Sequence, residues 1–334
     1  MGTTNTRVWL MRGDEVISAQ SRAVGIRDRA RDGLGSVIQN GLRDLIREVT
    51  GKAEAVRAAS TPTHIAASGM ITSSLGLAEV PYIPVPAGIQ ELAVRARWYR
   101  FPGVSDLPFL LVPGVRTGLL NPTLDSVHEN DVMRGEETLC AGLVALEIVP
   151  RPALVLNLGS HWKAIRLDDT GRVSSSLTSL SGELIHVLET QTILAASVSN
   201  ERPASLSAEW VDAGMREQRK SGLSRALFAV RLLDLAKQGT PEERLAFLVG
   251  TVVAADLDAL LAQGVLEANL PVAVIGHQAI AETWIRCLRQ ASVPAMMIPS
   301  PKVERAWLTA LQRILEEAVQ VSKTEHALEQ AEAR

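Results

Sequence analysis

Residues 154–167 read LVLNLGSHWKAIRL, two apolar runs separated by a Gly-Ser turn. This pattern predicts a β-hairpin. The chain opens on a related pattern, because apolar residues 7–11 and an extended run over 15–21 flank the turn Arg12-Gly13-Asp14. Helical and strand-like segments alternate after each hairpin. We therefore predict an α/β protein built from two related domains, each beginning with a hairpin.

The two halves meet near Pro150 and Pro152. A chain of 334 residues is long enough for two domains of ordinary size. We predict an N-terminal domain over 1–150, a C-terminal domain over 151–321 and a polar tail over 322–334.

Apolar periodicity and capping residues place the remaining elements. Thr240-Pro241-Glu242-Glu243 has the residues of a capping box, with Pro at the first helical position, and predicts a helix start. We predict helices over 34–49, 133–147, 241–264, 282–290 and 303–321, and strands over 64–67, 272–275 and 295–298. The Pro-rich stretch 80–122 is expected to hold loops and edge strands.

Charge and composition exclude several classes of protein. The 34 basic and 37 acidic side chains leave a net charge of −3, which offers no strong field for nucleic acid. Two cysteines, Cys140 and Cys287, are too few for a disulfide framework or a zinc site built on CxxC pairs. The longest uncharged apolar run, 245–255, is too short to span a bilayer. We expect a cytoplasmic protein that binds neither nucleic acid nor membrane.

Two polar turns are candidates for binding phosphate. The first is Gly2-Thr3-Thr4-Asn5-Thr6-Arg7, and the second is Gly159-Ser160-His161-Trp162-Lys163. Small residues and exposed N–H groups in such turns bind phosphate oxygens, and the second turn adds a hydroxyl and a cation. Each turn alone is equally typical of a solvated terminus or an ordinary hairpin. One such turn in each half favours a nucleotide triphosphate gripped by both.

An acidic segment, DVMRGEET over 131–138, lies where a helix is predicted to begin. Its carboxylates are either a plain helix cap, favoured by the helix dipole, or catalytic groups. Arg134 suits a carboxylate ligand because its guanidinium is a rigid fork, and a neighbouring carboxylate can accept a hydroxyl proton.

A second segment, SGMITSS over 68–74, follows a strand and carries hydroxyl side chains. It suits a polyol, with an ordinary loop as the alternative.

DVMRGEET resembles the signature of the 2-dehydro-3-deoxygalactonokinases, sugar-acid kinases of the actin–hexokinase–Hsp70 superfamily. Further stretches resemble family segments in the same order along residues 2–315. They are GTTNTRVWL (2–10), SGMITSSLG (68–76), PYIPVPAG (81–88), VPGV (112–115), LNLGSHWKAI (156–165), SGELIHVL (181–188), AFLVGTVVAADL (246–257) and VAVIGH (272–277).

The resemblance implies an α/β fold of two ribonuclease-H-like domains around a central cleft, the actin-like ATPase architecture. It also implies ATP-dependent phosphorylation, with Mg²⁺, of the 6-hydroxyl of 2-dehydro-3-deoxy-D-galactonate in galactonate breakdown. The partners are then a small sugar acid, bound by the N-terminal domain, and a nucleotide, bound by the C-terminal domain. Two alternatives stay open: a non-catalytic member that binds a sugar acid, and a kinase for a different sugar acid. The oligomeric state is open, with a homodimer as one alternative.

The resemblance also assigns roles to residues. The catalytic candidates are Asp131, Glu136 and Glu137, and the last two are not ranked. Substrate is expected at Asn5, Arg7, Ser73 and Arg134. ATP and its phosphates are expected at Gly2, Thr3, Thr4, Gly159, Ser160, His161, Lys163 and Gly276. No metal ligand is assigned.

One segment of the family pattern lies outside this sequence. Relatives carry an apolar strand ending in Asp directly before the first phosphate turn, whereas here Met1 alone stands before Gly2. In the resembled fold that strand lies between the strands predicted over 7–11 and 64–67. We therefore expect the reading frame to begin upstream, by roughly seven to ten residues, enough for one strand.

Overall fold

The computed structural model describes residues 1–2, 5–23, 25, 35–55, 61–201 and 203–332. It divides into two compact units. The first comprises Met1–Ile148, Gly171–Ser174 and Glu304–Arg334, and the second comprises Val149–Thr170 and Ser175–Val303. The chain first passes from one unit to the other between Ile148 and Val149, and from Glu304 onward it belongs to the first unit.

The first unit is built from short strands in three sheets and from helices. Its elements are β1 (Thr6–Arg12), β2 (Glu15–Arg22), α1 (Gly35–Ala55), β3 (Ile65–Ala67), β4 (Ile83–Pro84), α2 (Ile89–Arg95), β5 (Arg97–Phe101), β6 (Ser105–Leu111), β7 (Val115–Thr117), β8 (Asp131–Met133) and α3 (Glu136–Ala145). The sheets are β1-β2, β3-β6-β5 and β4-β7-β8. β3 runs parallel to β6, with Ile65 opposite Phe109.

The second unit centres on one five-stranded sheet, in the order β11-β10-β9-β12-β13. Its elements are β9 (Ala153–Leu158), β10 (Trp162–Leu167), β11 (Val173–Ser179), α4 (Ser181–Gln191), α5 (Ala208–Ser221), α6 (Leu223–Leu235), α7 (Pro241–Ala262), β12 (Val272–Gly276), α8 (Gln278–Gln290) and β13 (Ala295–Met297). The chain ends in α9 (Ser300–Glu332). β11 begins in the first unit, and the first turn of α9 lies in the second.

Both predicted hairpins are confirmed. β1 pairs antiparallel with β2, and β9 pairs antiparallel with β10, with Leu158 opposite Trp162 across the turn. The capping box of α7 is also confirmed, because Thr240 Oγ1 accepts from Glu243 N at 3.2 Å and Glu243 Oε2 accepts from Thr240 N at 2.8 Å. These features are local in sequence, so local reasoning finds them.

The predicted helix over 133–147 is wrong at its start. Met133 belongs to β8 and pairs with Val115 of β7. Gly135 then adopts φ 113°, a conformation that favours glycine and stops the strand before α3 begins at Glu136. DVMRGEET therefore forms a strand, a turn and a helix start. Other helices also differ in length: α1 ends six residues later than predicted, α7 ends two residues earlier, α8 begins four residues earlier, and α9 includes most of the expected polar tail.

α7 is long and apolar enough, by length and composition, to cross a membrane. Two thirds of its most apolar window is buried inside the fold, as in the core helix of a globular unit. Val249, Val252 and Val253 are almost fully buried in the core of the second unit.

Candidate functional site

The segment 131–138 forms a tight turn against the loop 68–77. Gly135 packs so closely that a Cβ there would lie 3.3 Å from the Cα of Gly69. Gly69 itself has φ 85°. The sequence motifs DVMRGEET and SGMITSS therefore lie against each other within the first unit and together form the candidate site.

Arg134 is the buried centre of this site. Its Nη1 donates to the carbonyl and Oγ1 of Thr72 at 2.7 and 2.8 Å, and its Nη2 donates to the carbonyl of Val80 at 2.8 Å. The guanidinium lies over the ring of Tyr82, 3.9 Å from its centroid. The fork thus holds the loop 72–80 in one shape. Its Nε is buried and has no hydrogen-bond acceptor among the described residues.

Glu137 is almost completely buried at the start of α3. Both of its carboxylate oxygens accept from Gly135 N at 2.8 Å, and Thr138 Oγ1 donates to Oε1 at 3.1 Å. Burial, and after it the nearby charge of Glu136, raises the pKa of Glu137 to about 7. The side chain both caps the helix and titrates near neutrality.

Glu136 has different surroundings from its neighbour. Its side chain is half-buried, and Oε2 accepts from Arg134 N at 3.2 Å. Asp131 is also half-buried and begins β8 opposite Thr117. Of the catalytic candidates, Glu136 and Asp131 are therefore the two that reach solvent, whereas Glu137 does not.

Three hydroxyls of the loop 68–77 form hydrogen bonds within the first unit. Thr72 Oγ1 donates to the carbonyl of Gly69 at 3.0 Å, and Ser73 Oγ donates to the carbonyl of Met70 at 2.7 Å. Ser68 Oγ accepts from Trp307 Nε1 at 3.0 Å. These bonds fix the loop, and Ser73 Oγ keeps lone pairs that can accept a hydrogen bond.

The first predicted phosphate turn is described only in part. Gly2 N donates to the carbonyl of Asn5 at 2.7 Å, which closes the turn before β1. The side chains of Asn5 and Arg7 are exposed. Thr3 and Thr4 lie outside the described residues.

The second predicted phosphate turn connects β9 to β10 and packs on the start of α4. Ser160 accepts from Glu183 N through its carbonyl at 2.7 Å, and a Cβ on Gly182 would lie 2.1 Å from the carbonyl oxygen of Gly159. His161 Nε2 lies 3.2 Å from Glu183 Oε2. The turn therefore packs directly against the N-terminus of α4.

Lys163 is buried in β10, and its Nζ donates to Thr178 Oγ1 at 2.6 Å. Gly276 ends β12 directly opposite Leu158, the last residue before the turn. A Cβ on Gly276 would lie 2.7 Å from that of Leu158. The structure thus brings Gly276 beside the turn that Gly159 begins, as strand pairing requires.

Sequence reasoning missed a polar cluster next to this turn. Ser179 Oγ donates to Asp256 Oδ2 at 2.6 Å and lies 3.0 Å from Ser181 Oγ. Burial raises the pKa of Asp256 above its usual range. The available signal was a carboxylate, Asp256, directly at the end of the apolar run 245–255 of α7. Among the residues that the structure describes, no three His, Cys, Asp or Glu side chains form a group that could hold a metal ion.

A sequence profile described as 2-keto-3-deoxy-galactonokinase matches residues 1–313. A probable 2-dehydro-3-deoxygalactonokinase of Rhizobium meliloti (strain 1021) is 28% identical over 320 residues, which cover 94% of this chain and 95% of the relative. The 2-dehydro-3-deoxygalactonokinase of Escherichia coli (strain K12) is 26% identical over 257 residues, or 77% of each chain.

Two solved structures are similar in fold. A crystal structure of a Sinorhizobium meliloti protein, inferred to be a 2-dehydro-3-deoxygalactonokinase, gives a TM-score of 0.72 at 25% identity and covers 93% of this chain and 94% of its own. The activator of the 2-hydroxyisocaproyl-CoA dehydratase from Clostridium difficile, solved with bound ADPNP, gives 0.50 at 13% identity, with 97% and 95% covered. The second similarity concerns the fold alone.

Proposed function

Because the chain belongs to the 2-keto-3-deoxy-galactonokinase family and is a sugar-acid kinase, we propose that it transfers the γ-phosphoryl group of ATP to the 6-hydroxyl of 2-dehydro-3-deoxy-D-galactonate. The observation that carries the proposal is the strand–turn–helix of residues 131–138, which joins two glutamates and a buried arginine to the hydroxyl-bearing loop. The role in galactonate breakdown and the cytoplasmic location are parts of the same proposal.

In this proposal Glu136 accepts the proton of the 6-hydroxyl. As that oxygen bonds to the γ-phosphorus, the bond from phosphorus to the β–γ bridging oxygen breaks and ADP leaves. Glu136 is favoured over Glu137 because Glu137 is buried and both of its oxygens accept from Gly135 N. Glu137 is then a positioning residue that fixes the turn. Asp131, at the other end of the turn, is the second accessible carboxylate.

Arg134 shapes the sugar-acid site in two ways. Its bonds to Thr72 and Val80 hold the loop that carries Ser73, and its Nε, which has no acceptor among the described residues, is a buried donor available to a ligand oxygen. A ligand carboxylate would satisfy that donor, which otherwise costs about 1–3 kcal/mol. Asn5 and Arg7 are the further substrate contacts proposed.

ATP is proposed to bind the turn at Gly159 through its phosphates, with Ser160, His161, Lys163 and Gly276 around it and with Gly2, Thr3 and Thr4 contributing from the first turn. The nucleotide enters as its magnesium complex, since Mg²⁺ is commonly held by phosphates and only one or two carboxylates. That both units are ribonuclease-H-like domains enclosing a cleft is the corresponding proposal for the fold.

The test is ADP formation from ATP and MgCl₂ with 2-dehydro-3-deoxygalactonate, beside its C4 epimer and reactions without a sugar acid. We expect ADP only with the sugar acids, fastest with the galactonate compound, and a phosphate ester at C6 by NMR. If another sugar acid alone were phosphorylated, it would replace 2-dehydro-3-deoxygalactonate as the proposed substrate. Binding of the sugar acid by calorimetry without any turnover would support a non-catalytic member instead.

A further inference from the structure

Trp307, in α9, contacts both sequence motifs of the candidate site within the first unit. Its Nε1 donates to Ser68 Oγ at 3.0 Å, although the two residues are 239 positions apart in the chain. Its ring lies beside Gly135, because a Cβ on Gly135 would be 3.9 Å from Trp307 Cζ2 and 3.3 Å from the Cα of Gly69. The indole therefore lies where the loop 68–77 and the acidic segment meet.

The packing of α9 on α3 sets the position of Trp307. A Cβ on Gly142 of α3 would lie 1.7 Å from the carbonyl oxygen of Ala306 in α9, and Ala306 is completely buried. α3 is also the helix that begins with the two glutamates of the acidic segment. Because closely packed backbones leave little freedom of movement, the residue after Ala306 enters the site in a fixed orientation.

β1 supplies further contacts to the same part of α9. The rings of Trp9 and Trp307 form an edge-to-face pair, with centroids 6.3 Å apart and planes at 71°. Trp9 Nε1 also donates to Glu304 Oε1 at 2.8 Å, about one helical turn before Trp307. Contacts with β1 and α3 thus hold the indole in place, while its N–H is bonded to Ser68.

Ser68 connects Trp307 to the loop. Ser68 is 3% exposed, and its Oγ is the acceptor because an indole N–H can only donate. The next residue, Gly69, has φ 85° and packs against Gly135. The hydrogen bond from Trp307 therefore fixes the start of the loop that carries Ser73, a proposed contact of the sugar acid.

We propose that Trp307 is a positioning residue of the sugar-acid site, which acts through Ser68 and Gly135 to hold the loop 68–77 against the acidic segment. A loop that is already held in its binding conformation loses less conformational entropy when a ligand binds. Trp307 therefore raises the affinity for the sugar acid. This inference rests on the proposed function for the identity of the ligand, and on the contacts of Trp307 for the positioning of the loop.

The first test measures ligand binding by calorimetry in Trp307→Phe, Ser68→Ala and the double variant. Phe keeps an aromatic ring at 307 but lacks the N–H. We expect each single variant to bind 2-dehydro-3-deoxygalactonate about 3- to 10-fold more weakly, the range that one hydrogen bond contributes, and to bind ATP with MgCl₂ as the wild-type chain does. Trp98→Phe, at an exposed tryptophan of β5 in the same unit, is the control and should change neither affinity.

The double variant shows whether the two residues act together. Both single changes remove the same hydrogen bond, so the double variant should bind the sugar acid about as weakly as the weaker single variant. Steady-state kinetics should show a raised KM for the sugar acid, with kcat and the KM for ATP near the wild-type values. Losses of affinity that add in the double variant, or wild-type affinity in both single variants, would overturn the proposal.

Amide hydrogen exchange without any ligand separates this inference from the proposed function. We expect exchange at residues 68–77 to be about 3-fold faster or more in Trp307→Phe than in Trp98→Phe. A wild-type chain that binds no sugar acid would overturn the proposed function, and the exchange comparison would still decide whether Trp307 positions the loop. If Trp307→Phe does not fold, Ser68→Ala takes its place, because it keeps the ring of Trp307. Equal exchange in the variant and the control would overturn the inference.

Discussion

Glu136 and Glu137 are neighbours in sequence with different surroundings, and a matched pair of variants separates them. Glu136→Gln should lower kcat by about 10²-fold or more, the usual scale for a general base, with little change in stability. Glu137→Gln should lower kcat less, because the amide can still accept from Gly135 N. Steady-state kinetics measures kcat of both variants, and urea unfolding measures their stability. Wild-type turnover in Glu136→Gln would remove Glu136 from the mechanism.

Arg134 is the second residue whose role can be measured directly. Arg134→Met removes the fork that holds Thr72 and Val80, together with the Nε that has no acceptor in the described part of the chain. We expect sugar-acid binding to weaken by about 2–4 kcal/mol, with ATP binding unchanged. Arg97→Met, at an exposed arginine of the same unit, is the control and should change neither affinity. Calorimetry showing lost ATP binding with normal sugar-acid binding would place Arg134 on the phosphate side.

At the scale of elements, α3 and α9 approach so closely that only glycine fits at 142. A Cβ there would lie 1.7 Å from the carbonyl oxygen of Ala306. Gly142→Ala should therefore destabilise the first unit by about 1–3 kcal/mol through overpacking. Gly51→Ala, in α1 with nothing within 4 Å of its Cβ, should be neutral or stabilising by up to about 1 kcal/mol. Urea unfolding of the pair checks this, and equal stabilities would contradict the close helix contact.

The elements also show what the sequence could predict. Both hairpins and the start of α7 follow from residues a few positions apart, and the prediction was correct there. The start of α3 was missed because Met133 is a strand residue only through its pairing with Val115, which lies on another part of the chain. α2 was missed because Pro residues surround it. α9 continues beyond 321 because its polar residues are good helix formers.

The candidate site follows the same rule. The acidic turn and the two polar turns could be found because each is contiguous in sequence. The partners of Arg134, namely Thr72 and Val80, and the cluster of Ser179 with Asp256 are set by tertiary packing. Spacing along the chain carries no signal for such pairs.

At the scale of the whole molecule, two buried groups give the free energy of unfolding a dependence on pH. The pKa of Glu137 is raised from 4.5 to about 7, so the folded state binds more protons between these values. The stabilisation that Glu137 contributes is fully present below pH 4.5 and is lost, by about 3 kcal/mol, as the pH rises to 7.

The pKa of the Met1 α-amine is lowered from 8.0 to about 6 by burial and by Arg7. Stability from that group is present above pH 8 and is lost, by about 3 kcal/mol, as the pH falls to 6.

The two groups therefore give the free energy of unfolding opposite dependences on pH, and a change at each group separates them. In the chain from Met1, with Met1 confirmed by mass spectrometry, stability should fall from pH 4.5 to 6, change little from 6 to 7, and rise from 7 to 8. Glu137→Gln should abolish the fall in stability from pH 4.5 to 6 and keep the rise from pH 7 to 8. Acetylation of the Met1 α-amine should remove the rise and leave the fall, because an amide does not titrate. Urea unfolding across pH 4.5–8 measures all three. A rise between pH 7 and 8 that persists in the acetylated chain would show that the α-amine is not its source.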